Sequence, residues 1–273
     1  SDQLRILGTL TLANNATVRI GGPTNGTTYL YQGSNAAWGI AGTGTILFGG
    51  SAVSAGRNLG SGGAPLTLGP NVTVHAVENG NIAMGNGVNR GAILIDTPAT
   101  TLTITGNNWI NDTSGRLEAS AGTLALNSLL RNDGSTVVSG GVMNFNTNDA
   151  TYVWTNPGTL RLDAGTLNLG GRITTATFNT VTRPQDADRG TFNVEAVIDN
   201  ANSTLLFDAA KGAVNLTTGQ GTIENGSVTI AGGSLRSVNG FLRDVTLNSD
   251  FLLDGSDQLR ILGTLTLANN ATV

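Results

Sequence analysis

The chain is 273 residues long, has a formal net charge of −4, and devotes only 12% of its residues to Asp, Glu, Lys and Arg while 39% are apolar. Charge this sparse, with no basic stretch and no interleaving of basic and aromatic residues, gives a nucleic-acid backbone nothing to hold. The absence of cysteine excludes disulfide staples and thiolate metal sites, and without a run of about 18 apolar residues nothing reads as a membrane span.

In chain order, the first element is Gly8-Thr9-Leu10-Thr11-Leu12, an apolar–polar alternation opened by a glycine. The same pattern returns at Gly44-Thr45-Ile46-Leu47-Phe48, Gly122-Thr123-Leu124-Ala125-Leu126, Gly158-Thr159-Leu160-Arg161-Leu162, Gly165-Thr166-Leu167-Asn168-Leu169 and Gly190-Thr191-Phe192-Asn193-Val194. Looser copies are Gly141-Val142-Met143-Asn144-Phe145 and Gly226-Ser227-Val228-Thr229-Ile230. Alternation with period two predicts short strands buried on one face, and the leading glycine supplies turn dihedrals that most residues avoid. Leu124–Leu130 has helical spacing at Leu126, Leu129 and Leu130, but Gly122 and Gly134 bracket it and the strand template fits better.

Glycine spacing sets the larger rhythm. Gly219, Gly226, Gly233 and Gly240 fall seven apart, as do Gly115 and Gly122, Gly134 and Gly141, and Gly158 and Gly165. Seven residues make one short strand and one turn; three such modules make a coil of about 21 residues, the unit of a three-faced solenoid. Stacked at a strand spacing of ~4.8 Å, about 11 or 12 coils span on the order of 55 Å. Pro23–Ala37 and Thr182–Arg189 break the rhythm and are expected to protrude as loops, while Asn14-Asn15 and Asn107-Asn108 are expected at coil corners, where amides can stack. The fold expected is therefore all-β, a parallel β-helix; a β-sandwich array is the alternative, disfavoured by uniformly short strands and only 5% aromatic residues.

Residues 1–18 and 256–273 both read SDQLRILGTLTLANNATV, which sets a period of 255 residues (256 − 1). The plain reading is a tandem array: residues 1–255 form one full solenoid unit and 256–273 start the next. The alternative is a deliberately duplicated strand. Ser256 sits inside the continuous pattern Leu252-Leu253-Asp254-Gly255-Ser256-Asp257-Gln258-Leu259, so the chain reads as a slice of something longer, and its first residues do not read as a signal peptide.

The stretches Asp244-Val245-Thr246-Leu247-Asn248, Gly263-Thr264-Leu265-Thr266-Leu267, Gly42-Thr43-Gly44-Thr45-Ile46-Leu47-Phe48 and Leu66-Thr67-Leu68-Gly69-Pro70-Asn71-Val72-Thr73-Val74, together with the long repeat, resemble very large repetitive bacterial surface proteins, the filamentous-haemagglutinin-like and autotransporter-like adhesins. The resemblance covers most of the chain in style and defines no site residues. It implies a right-handed parallel β-helix, secretion to the cell surface or beyond, and an adhesive or fibrous role.

Several groups of side chains have the chemistry of a site. Asp186 and Asp188, in Arg183-Pro184-Gln185-Asp186-Ala187-Asp188-Arg189, are the densest acids; they have the oxygens calcium prefers but read as a solvated loop with arginine counter-charges. Asp254-Gly255-Ser256-Asp257-Gln258-Leu259 resembles one calcium-binding nonapeptide, yet such sites need consecutive copies, so it reads as a turn. His75, the single histidine, reads as structural or surface. The Thr9/Thr11, Thr101/Thr103/Thr105 and Thr175/Thr177 pairs are too irregular for an ice-binding face. Asn-x-Thr sites such as Asn71-Val72-Thr73 and Asn215-Leu216-Thr217 follow from composition. Tyr29-Leu30-Tyr31 near Trp38, and Tyr152-Val153-Trp154, are the aromatic clusters; exposed, they would suit sugars, and buried, they are packing.

No catalytic, cofactor or metal residue is assigned, and an enzyme is not expected. The function expected is a structural segment of an extracellular bacterial filament whose partners are further units stacked end to end. A glycan- or cell-binding adhesin is the alternative, and a polysaccharide-active β-helix enzyme a remote one.

Overall fold

The fold comes from a computed structural model that describes residues 2–22, 26–50, 56–60, 63–147, 149–184, 190–217 and 219–273. Nearly all regular structure is parallel β, with about 2% helix, wound as a β-solenoid of about 11 turns. The chain divides into two compact units, Ser1–Met143 with Asn156–Thr159, and Asn144–Thr155 with Leu160–Val273.

In the first unit the opening turns run two faces together in the longer strands Thr9–Ile20 and Trp38–Phe48, so the strands are not uniformly short as expected. The central turns carry three short strands each. Val72–Ala76, Gly80–Ala83 and Val88–Asn89 are followed one turn later by Ala92–Ile95, Thr101–Thr105 and Trp109–Asn111, and then by Arg116–Ala119, Thr123–Leu126 and Leu129–Asn132. Each strand pairs in parallel with its equivalent: Thr73 with Ala92 and Ala92 with Arg116 on one face, Gly80 with Leu102 and Ile104 with Leu126 on the next, Asn89 with Asn111 and Asn111 with Asn132 on the third. The advance per turn runs from 19 residues (Thr73 to Ala92) to 30 (Thr9 to Gly39). Turns that differ in length while the strands stay in register explain why the seven-residue rhythm is only approximate.

Alternation puts one row of side chains inside. Val74, Ile93 and Leu117 stack in register and are fully buried, and Ile82, Ile104 and Leu126 form the equivalent row on the second face. Burying each such side chain contributes about 1.5–3 kcal/mol. The second unit has its own aliphatic rows, Ile173–Ile198–Ile223–Leu242 and Leu205–Val228–Leu247. Its larger side chains pack as rings: Phe145 stacks on Trp154 at 4.9 Å between centroids, and Phe178 on Phe192 at 5.5 Å.

Three further features differ from the sequence reading. Pro23–Ala37 is not simply a loop: Thr27–Gln32 is a strand paired with Asp2–Ile6 on one side and Gly56–Leu59 on the other. Gly26-Thr27 opens it, its Thr-Thr-Tyr-Leu-Tyr run suits a strand and Leu30 is buried, but the polar Thr28 stands where the template has its first apolar residue. Thr182 ends a two-residue strand, whereas Gln185–Arg189, with Asp186 and Asp188, lie outside the described residues. One helical turn forms at Thr175–Asn179, its N-terminus capped by Thr174, whose hydroxyl accepts from the Thr177 N–H; this turn takes the Thr175/Thr177 pair out of any strand. Leu124–Leu130 falls in two strands, as the template required.

Candidate functional site

The turns place asparagines in three settings. Asn14, Asn15 and Asn108 hold positive φ of 53°, 59° and 56°. Asparagine tolerates this left-handed conformation better than other non-glycine residues, and nine of the twelve non-glycine positions of that kind among the described residues are asparagine.

Stacked amides form two rows. In the first unit Asn89 donates to Asn111 at 2.8 Å, Asn111 to Asn132 at 2.6 Å, and Asn132 to Asn156; all four are buried. In the second unit Asn215 donates to Asn193 at 3.0 Å, Asn193 to Asn168 at 2.8 Å, and Asn168 to Asn144 at 2.7 Å, on half-buried outward positions. Their recurrence carried a usable signal: 89, 111, 132 and 156 step by 22, 21 and 24 residues, and 144, 168, 193 and 215 by 24, 25 and 22, the length of a turn.

Charges on the exterior are neutralised locally. Arg131 meets Asp133 at 2.7 Å, Arg161 meets Asp163 at 2.5 Å, and Arg116 meets Glu118, each pair two residues apart on one strand face. Arg90 reaches Asp112 at 2.8 Å and Arg236 reaches Asp257 at 2.8 Å on the next turn. In the second unit Glu224 lies between Arg172 and Arg243, with Asp199 3.4 Å from Arg172. Glu224 strengthens the proton's hold on Arg172, and the Asn225 amide donates to Asp199 and lowers that carboxyl. The Arg90, Arg236, Arg172 and Arg243 contacts join different turns; individually, exposed ion pairs contribute about 0–1 kcal/mol.

His75 lies outward on its strand with Nε2 2.8 Å from Asp96 Oδ1, and this hydrogen bond holds Asp96 below the ordinary carboxylate range. The pair joins one turn to the next. Burial raises the Glu195 carboxyl. Among the described residues no group of three or more His, Asp or Glu side chains could hold a metal ion, and no helix is long and apolar enough to cross a membrane. The Asp254 motif is a turn, with Gly255 at φ 59° and the Asp257 N–H donating to the Asp254 carbonyl at 3.0 Å.

An open cleft of about 410 Å³ in the second unit is bordered by Asn179, Val181, Arg183, Leu206, Asp208 and Lys211. Burial lowers the pKa of Lys211, the single lysine. Its ammonium donates to the carbonyls of Val181 at 2.9 Å and Asn179 at 3.0 Å and lies 5.3 Å from the centroid of the Phe178 ring. Arg183 donates to the carbonyls of Lys211, Ala213 and Gly190, each at 2.7 Å. Lys211 thus braces the backbone at the end of the helical turn, and Arg183 braces the backbone at Gly190, Lys211 and Ala213.

The aromatic clusters separate by burial. Trp38 and Trp154 are core residues, and Trp154 donates from Nε1 to the Gly170 carbonyl at 2.9 Å. Tyr29 and Tyr31 remain half-exposed on one outward face, edge to face at 6.3 Å, with the Tyr31 hydroxyl 3.0 Å from Gln3 Oε1. The threonine pairs do not continue from turn to turn: Thr9 and Thr11 face Gly39 and Ala41, and Thr103 faces Ala125. No family model, curated protein or solved structure matches the chain.

Proposed function

We propose that the chain is a structural segment of a long extracellular bacterial fibre or surface filament built from tandem 255-residue β-solenoid repeats. The observation that carries this reading is the identity of residues 1–18 with residues 256–273. A parallel solenoid supports it, because each turn satisfies the backbone of its neighbours and the stack extends by repetition. Amide rows, ion pairs between turns and braced cations are the features of a stiff wall. The absence of cysteine from the sequence suits export as an unfolded chain.

A second reading, a glycan- or cell-binding adhesin, rests on Tyr29 and Tyr31, whose half-exposed rings offer a stacking surface beside Gln3. The test is immunolabelling of intact bacteria producing the parent protein with an antibody raised against this chain. Dense labelling of intact cells, removed by brief external protease treatment, is the expected result. Labelling confined to permeabilised cells would overturn the extracellular fibre.

A further inference from the structure

The two copies of the duplicated stretch pair through opposite edges. In residues 1–18, Leu4, Ile6, Leu10 and Leu12 stand opposite Leu30, Gln32, Ile40 and Gly42 of the turn that follows. In residues 256–273 the equivalent Leu259, Ile261, Leu265 and Leu267 stand opposite Gly240, Leu242, Val245 and Leu247 of the turn that precedes. Both sets of neighbours face the core: Leu30, Gln32 and Ile40 are buried on one side, and Leu242, Val245 and Leu247 on the other. A slip of one residue at either edge would turn the apolar row outward. The same four residues therefore point inward in both settings, and the two pairings use edges that do not compete.

The preceding turn also shapes this stretch. Gly263 has φ 76° and the Thr264 N–H donates to Asp244 Oδ1 at 2.9 Å, whereas Gly8, the same residue one repeat earlier, has nothing within 4 Å of its Cβ position and no positive φ. Leu7 is 76% exposed, while its equivalent Leu262, beside the preceding turn, is half-buried. Ile261 and Leu267 remain 40% and 48% exposed, whereas their equivalents Ile6 and Leu12, which have a following turn, are half-buried and buried. Each copy lacks the cover that the other copy has.

We infer that this stretch is a shared boundary coil whose partner is a second copy of the unit. In a tandem chain residues 256–273 would take the place of residues 1–18 and pair at once with Val238–Leu247 of their own unit and with Thr28–Gln32 and Gly39–Phe48 of the following unit, leaving no linker. The inference rests on the tandem reading but is tested separately from it.

The experiment uses a two-copy chain, residues 1–255 followed by 1–273, in which every cysteine is introduced. Thr266→Cys in the shared boundary stretch, which is Thr11 of the second copy, and Ala41→Cys in that second copy reproduce the outward Thr11–Ala41 pairing, and a strand spacing of ~4.8 Å lies within disulfide range. Thr246→Cys with Thr266→Cys probes the other edge. Both pairs should close within one chain on mild oxidation, while Thr266→Cys with Thr45→Cys, four residues out of register, should stay reduced. Closure of the off-register pair to the same extent, or failure of the Thr266–Ala41 pair while Thr246–Thr266 closes, would overturn the inference. Hydrogen exchange on the unsubstituted two-copy chain checks that the variants have not misfolded: peptides from the duplicated stretch should split into one slow population and faster ones. A single fast population would also overturn it. Surface labelling of the parent protein addresses the filament; these measurements address only the boundary.

Discussion

Asn111 accepts from Asn89 and donates to Asn132 with no measurable exposure, whereas Asn193 accepts from Asn215 and donates to Asn168 on a half-exposed wall. The bonds are alike, so the difference lies in what water can do when one is lost. Asn111→Ala strands a buried donor on Asn89 and a buried acceptor on Asn132, each costing about 1–3 kcal/mol. Asn193→Ala leaves groups that solvent can reach and should cost less than about 1 kcal/mol. Urea unfolding of the two variants should shift the midpoint strongly for the first and slightly for the second; equal shifts would contradict the assignment of an inner and an outer amide row.

Strands of this chain are interchangeable in style, and the turns determine where each one begins. Gly226 has φ 60°, and a Cβ there would lie 2.1 Å from the Asn200 carbonyl oxygen, whereas Gly63 has open space at the same position. Gly226→Ala should therefore lower the thermal midpoint, with a cost of more than about 1 kcal/mol from backbone strain and the clash, and Gly63→Ala should leave it unchanged; the reverse order in a melting experiment would count against this account of the turns. Such turns made most of the fold legible beforehand. Gly122-Thr123-Leu124-Ala125-Leu126 announces its strand because the glycine takes a positive φ and the alternation follows at once. Thr27–Gln32 was hidden although Gly26-Thr27 opens it, because of its alternate positions Thr28, Leu30 and Gln32 only Leu30 is apolar. The helical turn at Thr175–Asn179 lies in a threonine-rich stretch of low helix propensity and depends on tertiary packing of Phe178. The amide rows were hidden for another reason: asparagines at corners look alike in sequence, and only the turn length shows which are neighbours. No catalytic constellation was read from the sequence. The cleft beside Lys211 was not foreseen, because Phe178, Asn179, Val181 and Lys211 meet only once the chain has completed a further turn.

At the scale of the whole molecule, charge is sparse and much of it is paired locally. Arg131 with Asp133, and Arg90 with Asp112, leave little field to steer a charged ligand. What distinguishes the chain is repetition: an 18-residue stretch that recurs after 255 residues and is complementary to one turn on each of its edges. The measurement that tests the filament account most directly is electron microscopy of chains carrying one, two and three copies of the unit. Particle length should grow by a constant increment on the order of 50 Å per copy, the product of about 11 turns and ~4.8 Å strand spacing, with uniform width and no gap at the boundaries. Separate globular particles joined by flexible connections, or a length that does not scale with copy number, would contradict it.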